Sequence, residues 1–171
     1  MKRVAISVGD LNGVGIEIAI KAHKKISTLC KPIYCINRYM LSQACELLDV
    51  EVPKDFELHE VAGNFTIREG VIDGQSGRYS YDSFATAVRL CESKRVDAVV
   101  TMPIHKEAWS LAGVDFKGHT DFLREHFKAD AIMMLGCEKM FVALFTEHIP
   151  LRDVASSLSK EKLLKFLLDL E

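Results

Sequence analysis

Short apolar runs bounded by turn residues alternate with stretches of helical period from the first residues onward, and a chain patterned this way folds as strands covered by helices. Arg3 to Val8 reads as a buried strand, Gly9 to Gly15 as a glycine-bearing turn, and Ile16 to Ile26 as an amphipathic helix. Pro32 to Ile36 predicts a second strand. Tyr39 to Leu48 predicts a second helix, with Leu41, Ala44, Cys45 and Leu48 on one face. Between Asp49 and Arg78 the pattern is irregular, punctuated by Pro53, Gly63, Gly70, Gly74 and Gly77, with short strand candidates at Phe56 to His59 and Phe65 to Arg68. Alternation returns with a helix over Tyr81 to Glu92, a strand over Ala98 to Thr101 and a short helix over Lys106 to Leu111. Further on, Thr120 to Phe127 predicts a helix, Ala131 to Leu135 and Phe141 to Thr146 predict strands, and Ser159 caps a last helix through Leu170. The expected fold class is α/β, a layered sheet with parallel stretches. No repeat, low-complexity tract or linker interrupts it.

Length and charge narrow the function classes. A chain of 171 residues suffices for one ordinary domain, or for an incomplete piece of a larger one. With 49% hydrophobic and 27% charged residues and a net charge of −2, it lacks the strong field that draws nucleic acid or an anionic membrane. The expected partners are small molecules or protein. Neither a secretory h-region nor an apolar run long enough to span a bilayer is found, so the expected address is cytoplasmic, off the membrane. The five cysteines, Cys30, Cys35, Cys45, Cys91 and Cys137, form no CxxC pair and read as reduced, mostly buried thiols. The last helix carries Leu163, Leu164, Phe166, Leu167, Leu168 and Leu170 on more than one side. It therefore wants neighbours on several faces, from another chain or a missing remainder.

Four segments carry chemistry. The opening turn fails as a dinucleotide fingerprint, because Ile18 stands where GxGxxG needs its third glycine. Its glycines let backbone N–H groups approach an anion, which Asp10 and Glu17 would oppose, or they serve as a tight structural turn. Thr101-Met-Pro-Ile-His-Lys106 leaves a strand and enters a helix, so Lys106 either holds a phosphate or carboxylate or is a solvated first-turn lysine. Gly118-His-Thr120 precedes a helix; Thr120 can cap it while His119 and the loop backbone face a bound anion, or the segment is an ordinary capping turn. Phe145 to Asp153 ends an apolar strand in Glu147, His148, Arg152 and Asp153. His148 could ligate a metal there, with a nearby carboxylate orienting its ring. A catalytic metal needs about three protein ligands, and His23, His59 and His126 stand apart as surface or core histidines.

Taken in order, these segments resemble the 4-hydroxythreonine-4-phosphate dehydrogenase family. Ser7-Val-Gly-Asp-Leu-Asn-Gly-Val-Gly-Ile-Glu17 resembles the family's Thr-Pro-Gly-Asp-Pro-x-Gly-Ile-Gly-Pro-Glu. Gly74-Gln-Ser-Gly77 resembles its Gly-x-x-Ser-x-x-x-Gly helix entrance with a shortened middle, and Asp97 to Lys106 its Asp-Ala-Ile-Val-Thr-Ala-Pro-Ile-Asn-Lys. Phe116 to Asp121 is similar to Phe-Pro-Gly-His-Thr-Glu. Ile132 to Leu135 and Val142 to Val154 are similar to Met-Met-Leu followed by Val-Ala-Leu-Val-Thr-Thr-His-Ile-Pro-Leu-Lys-Asp-Val. The resemblance covers essentially the whole chain but only about the first half of the family's usual length. Departures fall at Leu11 and Ile16 for prolines, Met102 for alanine and His105 for asparagine, and they bear on substrate preference.

The resemblance implies an isocitrate/isopropylmalate dehydrogenase-like α/β/α fold, incomplete here, with residues 1–130 in a first lobe and 131–171 opening a second. It implies oxidation of 4-phosphooxy-L-threonine with NAD or NADP and a divalent metal (Zn, Mg or Co), in pyridoxal phosphate biosynthesis. By the same resemblance His119 and Thr120 contact the phosphorylated substrate, His148 is the first of three metal histidines, and Lys106 plays a supporting catalytic role. The remaining ligands and the cofactor-binding residues are expected beyond Glu171, in a homodimer with a shared site, so the piece alone is expected to be inactive. Rival expectations are a sister dehydrogenase for another phosphorylated hydroxy acid, a non-catalytic binding module, and acyl or phosphoryl transfer without a nicotinamide.

Overall fold

The computed structural model describes residues 1–170 and divides into two compact units, Met1–Gly118 and His119–Glu171. The first unit is built on four strands, β1 (Arg3–Ser7), β2 (Lys31–Cys35), β3 (Glu57–His59) and β4 (Ala98–Thr101), in the order β3-β2-β1-β4. All neighbouring pairs are parallel, with Ile6 opposite Tyr34 on one side and Val100 on the other. Parallel neighbours need crossovers, supplied by α1 (Gly15–Ile26), α2 (Arg38–Leu47) and α3 (Gly74–Glu92), while α4 (Lys106–Leu111) follows β4. Strand order runs outward from β1 to β3 and then returns past β1 to β4. Right-handed crossovers therefore put α1 and α2 on one face and α3 on the other. The predicted strands and helices of this unit appear within a residue or two, except at two places.

The first exception is Phe65 to Arg68, which pairs with no strand. Its backbone groups are taken by side chains instead: the Gln43 amide donates to the Phe65 carbonyl at 3.0 Å and accepts from Ile67 N–H, and Asn12 Oδ1 accepts from Arg68 N–H at 2.8 Å. A segment satisfied this way, with Phe65 and Ile67 buried, has no need of a ladder. The second is α3, which starts seven residues before the predicted Tyr81, at Gly74. Asp73 caps it, accepting from Gln75 N–H at 2.9 Å and Ser76 N–H at 2.8 Å, and the two glycines of Gly74-Gln-Ser-Gly77 are helical. They are glycines because α4 is so close: a Cβ on Gly77 would lie 2.0 Å from the Ala108 carbonyl oxygen.

Asp73 gives this cap a pH dependence. Burial alone would raise its carboxyl, but hydrogen bonds from Ser76 N–H, Arg68, Asn12 and Gln75 N–H outweigh that and hold it below the usual carboxylate range. A carboxylate depressed in the folded state adds stability at neutral pH that is lost as pH falls through the depressed value. Asp73→Ala is expected to cost about 1 kcal/mol in urea unfolding at pH 7. The deficit should shrink at pH 3; an equal deficit at both values would show that the charge is not what caps α3.

The core joins both faces of the sheet. Tyr34 and Phe56 stack with ring centroids 3.6 Å apart, and buried His23 places Nδ1 3.0 Å from the Tyr34 hydroxyl and Nε2 3.1 Å from Asp55. His23 is thus a satisfied core histidine, and burial pushes the Tyr34 phenol far above its ordinary value. All five cysteines are free, but only Cys35 and Cys45 are buried. Cys30 and Cys91 are half-buried and Cys137 is exposed, so the expectation of mostly buried thiols holds for the sheet-side residues alone.

The second unit comprises α5 (His119–Phe127), an antiparallel hairpin of β5 (Met134–Cys137) and β6 (Met140–Ala143), α6 (Leu151–Ser157) and α7 (Lys160–Leu170). The predicted strands are displaced toward the tight turn at Glu138-Lys139, which sets Cys137 opposite Met140 and ends pairing at Ala143. The sequence reading did not foresee α6, whose short run after Pro150 carries too few apolar positions to show a period. Ser159 does cap α7, accepting from Lys162 N–H at 3.2 Å. Within this unit Phe145 meets Phe166 edge-on, and Lys165 bridges Asp130 and Asp169. Among the described residues no helix is long and apolar enough to cross a membrane.

Candidate functional site

In an open parallel sheet, ligands gather beyond the carboxyl ends of the strands where the order reverses, because the loops there part to opposite faces. Here that point lies between β1 and β4, and the two loops leaving it touch: Asp10 N–H donates to the Pro103 carbonyl at 2.9 Å. Gly9 makes this approach possible. Its φ is +68°, and a Cβ there would lie 2.2 Å from the Pro103 carbonyl oxygen.

The opening turn is occupied by its own structure. Buried Asp10 accepts from Asn12 N–H at 2.9 Å through its side chain and from Gly13 N–H at 3.0 Å through its carbonyl. Asn12 in turn donates to the Val71 carbonyl at 2.7 Å and to Asp73 at 3.2 Å. Of the two readings left open for the glycines, the structural turn has these observations behind it: the N–H groups of Asp10, Asn12 and Gly13 are all taken within the protein. Asn12 went unremarked in the sequence, and only a polar residue among turn glycines could have flagged it.

The departures from the family's pattern sit in this framework. Leu11 and Ile16 are buried, Ile16 in the first turn of α1 where proline is also tolerated, and Met102 is buried under the turn. His105 caps α4, its Nδ1 accepting from Ala108 N–H at 3.4 Å, a task asparagine performs equally well.

Lys106 opens α4 and is exposed, beside a cavity of about 720 Å³ that it lines with Glu107, Ser110, Asp115, Phe116 and Lys117. Its stem lies against Gly118, where a Cβ would come 3.6 Å from the lysine Cε. Helix α5 begins at His119, so Thr120 is its second residue rather than its cap. That corrects the capping expectation. Among the described residues no hydrogen bond takes the Thr120 hydroxyl, which leaves it able to donate outward. His119 is half-buried, and burial pushes its imidazole below the ordinary value, keeping it neutral at neutral pH.

His148 is exposed and lies in the loop between β6 and α6, beyond the strand end at Ala143 rather than at the mouth of the strand. Its φ of +54° is uncommon for a residue with a Cβ, and Asp49, Lys94 and Lys128 share it. The carboxylate next to it does not orient it: Glu147 pairs with Arg124, and Asp153 lies 3.8 Å from Arg152. Among the described residues no group of three His, Cys, Asp or Glu side chains is gathered tightly enough to hold a metal. The His148 ring is accessible to solvent.

A parallel sheet whose strand order reverses beside β1, with the opening turn and Lys106 following its strand ends, defines the first unit as an open α/β fold of the doubly wound kind. The profile of the family described as pyridoxal phosphate biosynthetic protein PdxA matches residues 28–171, and the chain belongs to that family. It is 69% identical over 98% of its length to the 4-hydroxythreonine-4-phosphate dehydrogenase of Sulfurimonas denitrificans, and 48% identical over 99% to that of Campylobacter fetus. The chain spans about half the length of these curated relatives, 54% and 55% respectively. Its fold matches the crystal structure of a 4-hydroxythreonine-4-phosphate dehydrogenase from Burkholderia phymatum with a TM-score of 0.85 at 22% identity, over 98% of this chain and 56% of that one.

Proposed function

We propose that the chain is the N-terminal portion of a 4-hydroxythreonine-4-phosphate dehydrogenase. In this reading the whole protein oxidises 4-phosphooxy-L-threonine with NAD or NADP and a divalent cation, and works in the cytoplasm as a homodimer with a shared site. The product is a β-keto acid that loses carbon dioxide to give 3-amino-2-oxopropyl phosphate, because its new carbonyl stabilises the carbanion left behind. The observation that carries the reading is the 69% identity, over nearly the whole chain, to a relative bearing that name.

The chain's own residues divide the work. Thr120 donates its hydroxyl to the substrate phosphate, and neutral His119 donates a ring N–H to the same group. Lys106 offsets negative charge on the bound substrate as a point cation. His148 offers a neutral ring nitrogen to the metal, and the remaining ligands belong to the length the relatives have and this chain does not span. When bound, the cation (Zn, Mg or Co) supplies Lewis acidity that lowers the pKa of the substrate alcohol.

Thr120→Val in the full-length protein tests the phosphate contact. A hydrogen bond to a charged group is worth about 1.5–3 kcal/mol, so KM for the phosphorylated substrate should rise roughly tenfold or more with kcat little changed. An unchanged KM would leave Thr120 a structural first-turn residue. Failure of the full-length protein to reduce NAD or NADP with this substrate would overturn the assignment itself.

A further inference from the structure

A second cavity, of about 630 Å³, lies in the first unit between the segment leaving β3 and one face of α3. Asp82, Thr86 and Arg89, spaced four and three residues apart, line it from the helix; His59 and Glu60 face them, and Arg95 closes it after the helix ends. None of the residues assigned to substrate or metal takes part, so the proposed reaction neither explains this cavity nor depends on it.

Its charges are arranged for a guest. Arg89 is anchored by donating to the hydroxyl oxygen of buried Thr86 at 2.8 Å, which leaves the Thr86 proton free to be donated. Among the described residues neither Arg89 nor Arg95 has a carboxylate within ion-pair distance. Of the two acids in the lining, Asp82 is already held by Arg78 at 3.0 Å, and Glu60 pairs with neither arginine. The field has a witness in His59, whose imidazole is pushed below its ordinary value by burial and then by Arg95 and Arg89, against the smaller opposing pull of Glu60. Two guanidinium groups thus bear on one half-buried imidazole, and Glu60 offsets them only in part. Such forks match the oxygens of a tetrahedral oxyanion better than they match water.

We propose that this cavity is a subsite for a phosphate-class oxyanion, gripped by Arg89 and Arg95 with the Thr86 hydroxyl as a further donor. The volume accommodates more than a bare phosphate, so a small phosphate monoester fits the same grip.

The experiment is a titration of the full-length protein with inorganic phosphate, read on the His59 ring signal by NMR and assigned through His59→Gln. Saturable movement of that signal is expected, with His59 becoming easier to protonate as the arginine charges are neutralised. Arg95→Ala and Arg89→Gln, both at exposed positions, should each raise the half-saturating phosphate concentration at least tenfold while leaving the folded circular dichroism spectrum unchanged. Repeating the titration with glycerol 3-phosphate separates the sources: tighter binding identifies a phosphate ester as the guest, equal binding identifies free phosphate. A His59 signal that stays still, or moves identically in wild type and both arginine variants, overturns the proposal. Turnover of the dehydrogenase substrate is a separate readout, so either reading can fall without the other.

Discussion

His148→Ala in the full-length protein is expected to lower metal-dependent turnover at least about 100-fold and to lower bound metal in parallel. Even residues that only orient a metal ligand typically cost 10–100-fold when removed, and loss of one ligand out of about three is worse. The structure makes the substitution clean. His148 is exposed, belongs to no strand or helix, and takes no part in any hydrogen bond or ion pair among the described residues, so little packing is lost with its ring. Folding should survive and could even gain, since relief of a positive φ is better achieved by glycine; His148→Gly should therefore match or exceed the alanine variant in unfolding midpoint while being equally inactive. Measured kcat and metal content equal to wild type in both variants would remove His148 from the reaction.

Gly77→Ala should produce a large loss of stability in the first unit. The new Cβ would lie 2.0 Å from the Ala108 carbonyl oxygen, 2.3 Å from its carbon and 2.9 Å from Trp109 N, all backbone atoms that no rotamer change can move. Helix α4 must retreat, stretching the 2.6 Å hydrogen bond from Trp109 Nε1 to Ser80 and uncovering a fully buried Trp109. Overpacking of this kind costs about 3 kcal/mol. Gly13→Ala is the matched control: its Cβ would meet only the Asp10 carbonyl oxygen, at 3.4 Å, so its cost should stay below about 1 kcal/mol. Urea unfolding followed by circular dichroism distinguishes the two; equal midpoints would mean that α3 and α4 do not approach as described.

The same glycine shows how far the sequence could be read. β1, α1, β2, α2, β4 and α4 were legible because each carries its own period and its own punctuation, and because parallel pairing needs only such local units in alternation. Gly74 and Gly77 read as breaks, since glycine is costly within a helix, yet the reason for them is the close approach of the Leu111 and Ala108 carbonyls more than thirty residues away, which no local pattern encodes. Phe65 to Ile67 alternates like a strand, but Gln43 and Asn12 complete its hydrogen bonds, a tertiary arrangement without a sequence signal. At the candidate site, Lys106 and the His119-Thr120 helix entrance were legible from their position at element boundaries. The loop conformation of His148 and the diversion of Glu147 to Arg124 were not, because both depend on where β6 stops pairing. The arginine-lined cavity escaped notice altogether: Arg89 and Arg95 fall in a helix end and a connecting turn, where basic residues ordinarily face water.

The chain has a single tryptophan, Trp109, fully buried between α3 and α4. Its emission should be blue-shifted when folded, and a fluorescence melt should follow the unit that contains it. Any discrepancy between that melt and a backbone signal would measure how independently the two units come apart.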